Sequence, residues 1–169
     1  YQDQKDYAVC FGVEPEIWQK AEDNQYVPET SLTETEIRMP GGHLTIAQLI
    51  ALLNTIPMEI TFVDVDNINR FFNEGPKDFK RPGMAIDREV FSCHPPKIES
   101  TVRRIIGEFR AGALDEVPIW MDKNGKCMLV RYMAVRDKEG KYLGTLELVQ
   151  DMGFAKEHFQ PEKRQEEIW

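Results

Sequence analysis

Cys93 and His94 stand side by side in the stretch SCHPPK, Ser92 to Lys97. A thiolate and an imidazole are metal ligands and the parts of a nucleophilic pair. A closed zinc site needs about four ligands. The other candidates, Cys10, His43, Cys127 and His158, are scattered through different segments, so zinc is not supported. An iron–sulfur cluster needs more cysteines than these three. A Cys–His nucleophile needs the two side chains to face each other, whereas adjacent residues point apart, and no third orienting group stands nearby. The prolines give a simpler account. Pro95 and Pro96 fix φ, forbid helix before them and suit the first turn of one. Glu99 and Ser100 then fall in or near that turn, where the helix dipole favours an acid. Cys93 reads as a small buried apolar residue.

Two further groups bear on chemistry. Trp120, Met121, Met128, Tyr132 and Met133 sit on strand-like runs and could line an apolar ligand pocket, although ordinary core packing accounts for the same residues. Glu59 and Asp64 lie five apart on one run. On a strand that spacing sends them to opposite faces, so they form no acid–base pair, and Asp64 is placed to cap a turn.

The elements that must hold these residues are legible in order. In GGHLTIAQLIALLNTIP, Thr45 is an N-cap and Gln48 completes a capping box. Ile46, Leu49, Ile50 and Leu53 share a face, and Pro57 ends the helix. MEITFVDVDN and INRFFNE read as two strands of a hairpin. The turn-rich GPKDFKRPGMAIDREVF allows only short helical turns. In IESTVRRIIGEFRAGAL, Ile98, Val102, Ile105, Ile106 and Phe109 repeat at helical spacing, and Gly112 is a natural C-cap. Three strands follow, joined at DKNG and DKEG by turns with glycine where φ is positive. Antiparallel strands with helices gathered on one face make an α+β fold, with space for a pocket between the long helix and the sheet.

Composition narrows the role. The chain has 169 residues and a net charge of −8, with acids and bases mixed. That argues against nucleic acid or an anionic membrane as the main partner, since both attract a basic face. No apolar run reaches the length of a membrane span. The odd, widely spaced cysteines are no disulfide framework and suit a reducing cytoplasm. The chain begins with Tyr1 rather than Met, and we read it as a fragment of a longer protein or a processed chain.

The runs LLNTIPMEITFVDVDN, RFFNEG, CHPPK and VRYMAVRDKEGKYLGTLELVQD, in this order, resemble the PAS sensor domain. They are most similar to the PAS family at the C-terminal end of bacterial and archaeal hemerythrin-associated proteins. The resemblance covers residues 41–152 and implies a five-stranded antiparallel sheet with helices on one face. It implies a non-catalytic sensory or regulatory domain in signal transduction that binds a small hydrophobic ligand, dimerises, or does both. Residues 1–40 are then a helical or linker segment or the end of an upstream domain, and 153–169 a charged tail that begins as a helix. Taken with the resemblance, the expected ligand-binding residues are His94, Phe62, Phe91, Ile105, Phe109, Trp120, Met128 and Tyr132. The expected partners are a second copy, with the 43–56 helix as contact, and other domains of a longer chain. The alternative is a haem-binding gas or redox sensor with His94 as axial ligand, since iron needs only one ligand from the protein. A photosensory flavin would need Asn-Cys-Arg, but Cys93 is followed by His94-Pro95. Two departures stand out. The family's exit threonine is missing from Asp151-Met152-Gly153, and Asp87 replaces a usual glycine.

Overall fold

Thr45 begins the first helix as its sequence demands. Its hydroxyl accepts from the Gln48 N–H at 3.1 Å, and the Gln48 side chain accepts from the Thr45 N–H at 2.9 Å. This capping box satisfies two of the N–H groups that a helix start otherwise leaves unpaired. The helix, α1, runs Ile46–Thr55. In the computed structural model, residues 33–79 and 83–160 are described, without the side chains of Met84 and Cys93. The helical reading within residues 1–32, the tail beyond 160 and the burial of Cys93 lie outside the described residues.

Before α1 lies a hairpin that the sequence reading had placed in a linker and its junction. Strand β1 (Glu36–Met39) pairs with β2 (Gly42–Thr45), and Met39 stands opposite Gly42 across Pro40-Gly41. Pro40 breaks a helix or an inner strand, but Pro-Gly is equally a turn, and here it turns the hairpin. After α1, β3 (Glu59–Asp64) and β4 (Asn69–Phe72) form the expected hairpin. Asp64 Oδ1 caps its turn, accepting from the N–H groups of Asp66 at 2.9 Å and Ile68 at 3.0 Å.

Short 3-10 turns at Gly83–Ala85 and Val90–Cys93 lead to the long helix α2 (Pro96–Ala111). Pro96 opens it, Glu99 sits in its first turn, and Gly112 closes it at φ 75°. Its buried stripe is Val102, Ile105, Ile106 and Phe109. Burying each such side chain stabilises the fold by about 2 kcal/mol. The other face carries the Glu99–Arg103 and Arg104–Glu108 pairs. Arg136 holds the far end of α2, donating from Nη2 to the carbonyls of Phe109 at 2.8 Å and Leu114 at 3.3 Å, and from Nε to Asp115 at 2.9 Å.

Strands β5 (Glu116–Lys123), β6 (Lys126–Arg136) and β7 (Tyr142–Asp151) complete one antiparallel sheet of order β4-β3-β7-β6-β5. Asn124 and Gly125 both have positive φ (52° and 77°), as a two-residue hairpin turn requires. A short helix, α3 (Gly153–His158), follows β7. Asp151 Oδ1 accepts from the Gly153 N–H at 2.9 Å, so the exit keeps its aspartate anchor without the family's threonine.

Asp87, where the family has a glycine, takes a conformation that suits glycine. Its φ is 62°, in the left-handed region that glycine enters freely and aspartate tolerates. Its N–H donates to the Asn69 carbonyl at 2.8 Å, and its carboxylate receives Arg70 at 2.7 Å.

Candidate functional site

Directly paired residues on adjacent strands share a face. In the sheet, Thr61 faces Glu147, Glu147 faces Tyr132, and Tyr132 faces Val117. The next row on the same face is Glu59, Val149, Val130 and Ile119. This inner face meets α2, and its apolar part divides into clusters. Val63 joins Val90, Phe91, Val102 and Ile106. Phe79 joins Met128, Val130 and Val149, with Tyr132 packed against them. Ile105, Phe109 and Tyr142 form a further cluster, which Tyr132 also touches.

Between these clusters the inner face is polar. Glu59, Thr61, Thr145 and Glu147 are each less than a tenth exposed. The Phe79 N–H donates to Glu59 Oε1 at 3.3 Å, and the Tyr142 and Thr145 hydroxyls lie 2.7 Å apart. Burying carboxylates and hydroxyls is costly unless they are hydrogen-bonded, so this face depends on its polar contacts as well as on packing.

The alternation along β7 is therefore inverted relative to a simple amphipathic strand. Leu146 and Leu148 point to the outer face, beside Phe62, Met133 and Ile60, while Thr145 and Glu147 point to the helix. Thr61, Thr145 and Glu147 were missed by the sequence reading for this reason. Glu59 was weighed only as half of an acid–base pair with Asp64, and the two do point to opposite faces of β3.

Of the expected ligand residues, Tyr132 packs against Met128 in one cluster and against Ile105 and Phe109 in another, while Phe91 lies in a third with Val63, Val90, Val102 and Ile106. Phe62 and Trp120 do not join them. Phe62 shares the outer face with Leu146, and Trp120, opposite Leu129 on that face, is 63 % exposed. His94 is buried at the start of α2. Its Nδ1 is 2.7 Å from the Val90 carbonyl oxygen, which only accepts, so Nδ1 carries the proton. That bond folds the ring back on the 3-10 turn.

Cations stand against several of the aromatic rings. Lys123 Nζ lies 3.8 Å from the centre of the Phe79 ring, and the Arg103 guanidinium 3.8 Å from that of Phe91. Lys126 pairs with Asp78 at 2.8 Å. The Asp78 hydrogen bond and charge raise the Lys126 pKa, and the Asp151 and Glu59 carboxylates add to the effect. Among the described residues no group of three or more His, Cys, Asp or Glu is placed to hold a metal ion, and no helix is long and apolar enough to cross a membrane.

Comparison with known proteins agrees with this architecture. A C-terminal domain from Streptococcus mutans is 36% identical, with a TM-score of 0.70, over 74% of this chain and 98% of its own. The VqmA dimer of Vibrio cholerae, described as a LuxR-type receptor, is 18% identical with a TM-score of 0.50, over 67% of this chain and 53% of its own, a likeness of fold alone. No curated protein matches the sequence. The family model described as PAS domain matches residues 49–153, which takes in α1 from Leu49, the whole five-stranded sheet and α2. With sheet order, helix placement and that match in agreement, the chain belongs to the PAS domain family.

Proposed function

We propose that the chain is a non-catalytic sensory unit that reads a small molecule between α2 and the inner face of the sheet and passes its state on by self-association and to other domains of a longer, cytoplasmic chain. The observation that supports this most is the row Thr61–Glu147–Tyr132 with Glu59 beside it, polar and buried amid the apolar clusters. A core built only for stability does better with apolar side chains there. This reading favours a ligand with both an apolar body and polar groups, a narrower class than the small hydrophobic molecule expected from sequence. An apolar body would pack on Met128, Val130 and Phe109, and hydrogen-bond donors would meet the glutamates. The CHPPK and YLGTLE stretches support membership of the hemerythrin-associated branch, and the Streptococcus mutans relative is itself a C-terminal domain.

Native mass spectrometry of freshly purified chain tests the reading. A retained small molecule in the wild type that is lost in Glu147→Gln with the fold intact is the expected result. Retention by neither, together with no change in thermal midpoint across a library of amine-bearing small molecules, would sink it.

A second reading, haem on His94, has one observation in its favour. Nδ1 donation to a backbone carbonyl is how ligating histidines are oriented. Against it, Phe109 has no exposed surface and Met128 is 1 % exposed, so a disc the size of haem would have to part them. A Soret band on haem addition that disappears in His94→Ala would establish this reading. No band, or a band unchanged by the substitution, would end it.

A further inference from the structure

Phe79 lies between β4 and the first 3-10 turn, in neither helix nor strand, yet it is 3 % exposed. Its ring packs with Met128, Val130 and Val149, which all stand on strands β6 and β7. Its N–H donates to Glu59 Oε1 at 3.3 Å, and Lys123 Nζ lies 3.8 Å from the ring centre. A connecting segment thus puts one aromatic ring and one N–H donor on the inner face, beside the polar row. The segment itself is lightly held. Glu74, Gly75 and Pro76 are exposed, Gly75 turns at φ 121°, and Asp78 meets Lys126 in an ion pair with both side chains partly exposed. Such pairs add little to stability.

We propose that Phe79 is a built-in stand-in for the ligand, and that the inner face takes arylethylamines, small molecules with an aromatic ring two carbons from a nitrogen that bears hydrogen. The proposal rests on the sensory reading of this face and names the ligand class and the residue that competes with it. From nitrogen through Cα and Cβ to ring, Phe79 is itself that unit. Its surroundings show what each part meets. The ring finds methionine and valine side chains and a cation over its face, which favours a π-system over an aliphatic chain. The nitrogen finds a carboxylate oxygen, and a ligand ammonium bonds that oxygen more strongly than a backbone amide does. A ring of equal size restores the apolar burial that Phe79 gives up on leaving, so the exchange costs little for an aromatic guest and more for a thinner one. Competition with Phe79 lowers the apparent affinity in proportion to the fraction of chains in which the ring is out. Entry of the ligand carries Asp78 away from Lys126 and frees the segment that leads to the 3-10 turns.

Calorimetric titration of the full chain with phenethylamine, and with hexylamine as the aliphatic control, tests this. The expected result is binding of phenethylamine that tightens about 10-fold or more in Phe79→Ala and about 3-fold in Lys126→Met, with hexylamine at least about 10-fold weaker throughout. Hydrogen exchange at the Phe79 amide of the wild type should speed up when phenethylamine is added. Circular dichroism shows whether the variants fold. Lys126→Met leaves the apolar cluster intact, so it and the wild-type exchange decide the question should Phe79→Ala not fold. No gain in affinity in a folded variant, or a Phe79 amide that stays protected in the wild-type complex, would overturn the stand-in. Hexylamine binding as tightly as phenethylamine would overturn the aromatic class. A wild type that retains a small molecule dependent on Glu147, yet binds phenethylamine in no variant, overturns this ligand class and leaves the sensory reading standing. A chain that retains nothing and binds neither amine ends both.

Discussion

The Phe62 ring lies directly over Gly144 of the neighbouring strand. A Cβ built on Gly144 would stand 2.8 Å from both Cε2 and Cζ of Phe62, and it would also run into the Val63 carbonyl oxygen. The ring could turn aside, but the carbonyl belongs to the β3 backbone and cannot.

Gly144→Ala should therefore destabilise the chain by about 2–3 kcal/mol. Phe62→Leu combined with Gly144→Ala should recover only a minor part, because the clash with the backbone oxygen remains. Urea denaturation of the single and double variants measures both. A fully rescued double variant would show that the ring alone sets the limit.

Asn73 joins three segments. Its Oδ1 accepts from the Ile60 N–H at 2.8 Å and from Lys77 Nζ at 3.0 Å. Its Nδ2 donates to the carbonyls of Leu53 at 3.1 Å and Met58 at 2.9 Å. With Asn73 only 3 % exposed, Asn73→Ala strands several backbone groups, at a cost of about 2–4 kcal/mol. Asn73→Asp keeps the acceptor toward Ile60 but sets a buried carboxylate oxygen against the Leu53 and Met58 carbonyls, so near neutral pH it should cost at least as much as Asn73→Ala. A clearly smaller loss in Asn73→Asp, by thermal or chemical denaturation, would contradict this role for the two donors.

Asp87 occupies a left-handed backbone position and holds Arg70. Asp87→Ala keeps the strain and removes the hydrogen bond, so it should cost about 1 kcal/mol. Asp87→Gly relieves the strain and should fall close to wild type. Comparing the denaturation midpoints of the two variants decides whether backbone or ion pair dominates.

Acid should unfold the chain through its paired carboxylates. Partial burial alone would push the Asp64 carboxyl up, but the Arg70 hydrogen bond and the N–H groups of Ile68 and Asp66 outweigh it and hold it below its ordinary value. Glu116 is held down by its hydrogen bond to Arg131. Both contribute stability that is fully present above the unfolded carboxylate range. As pH falls below about 4 the unfolded chain takes up protons first, and the contribution is lost as pH passes through the folded values. Arg70→Met should flatten the Asp64 part of this slope. Denaturation midpoints measured from pH 6 down to about pH 2 would show it.

Arg136→Met should cost about 1–2 kcal/mol through the Phe109 and Leu114 carbonyls it leaves behind. Hydrogen exchange should then speed up at Gly112 and Ala113, the amides that close the last turn of α2, before it does at Val102. Uniform acceleration along the helix would contradict the clamp.

Much of the frame was legible because it rests on local rules. The capping box of Thr45 and Gln48, the glycine cap at Gly112, the turn at Asn124-Gly125 and the apolar stripe of α2 each involve residues a few positions apart. The hairpin at 36–45 was lost because Pro40 reads equally as a breaker and as a turn residue. The site was only half legible. The α2 residues followed from periodicity, but which face of each strand meets that helix is a tertiary fact. On β7 the leucines and the Thr–Glu series each claim the inside by a different rule, and only pairing with β3 and β6 decides for Thr145 and Glu147. Phe62 and Trp120 were placed with the ligand residues by their chemistry, and strand parity sends them to the other side.

The grip of Arg136 makes the two ends of α2 unequal. One guanidinium holds the carbonyls at the Phe109–Leu114 end, while the Pro96 end follows a 3-10 turn. On the sensory reading proposed above, α2 would be hinged at its C-terminal end, like a door, and the contact of His94 with the Val90 carbonyl would lie on the side that swings.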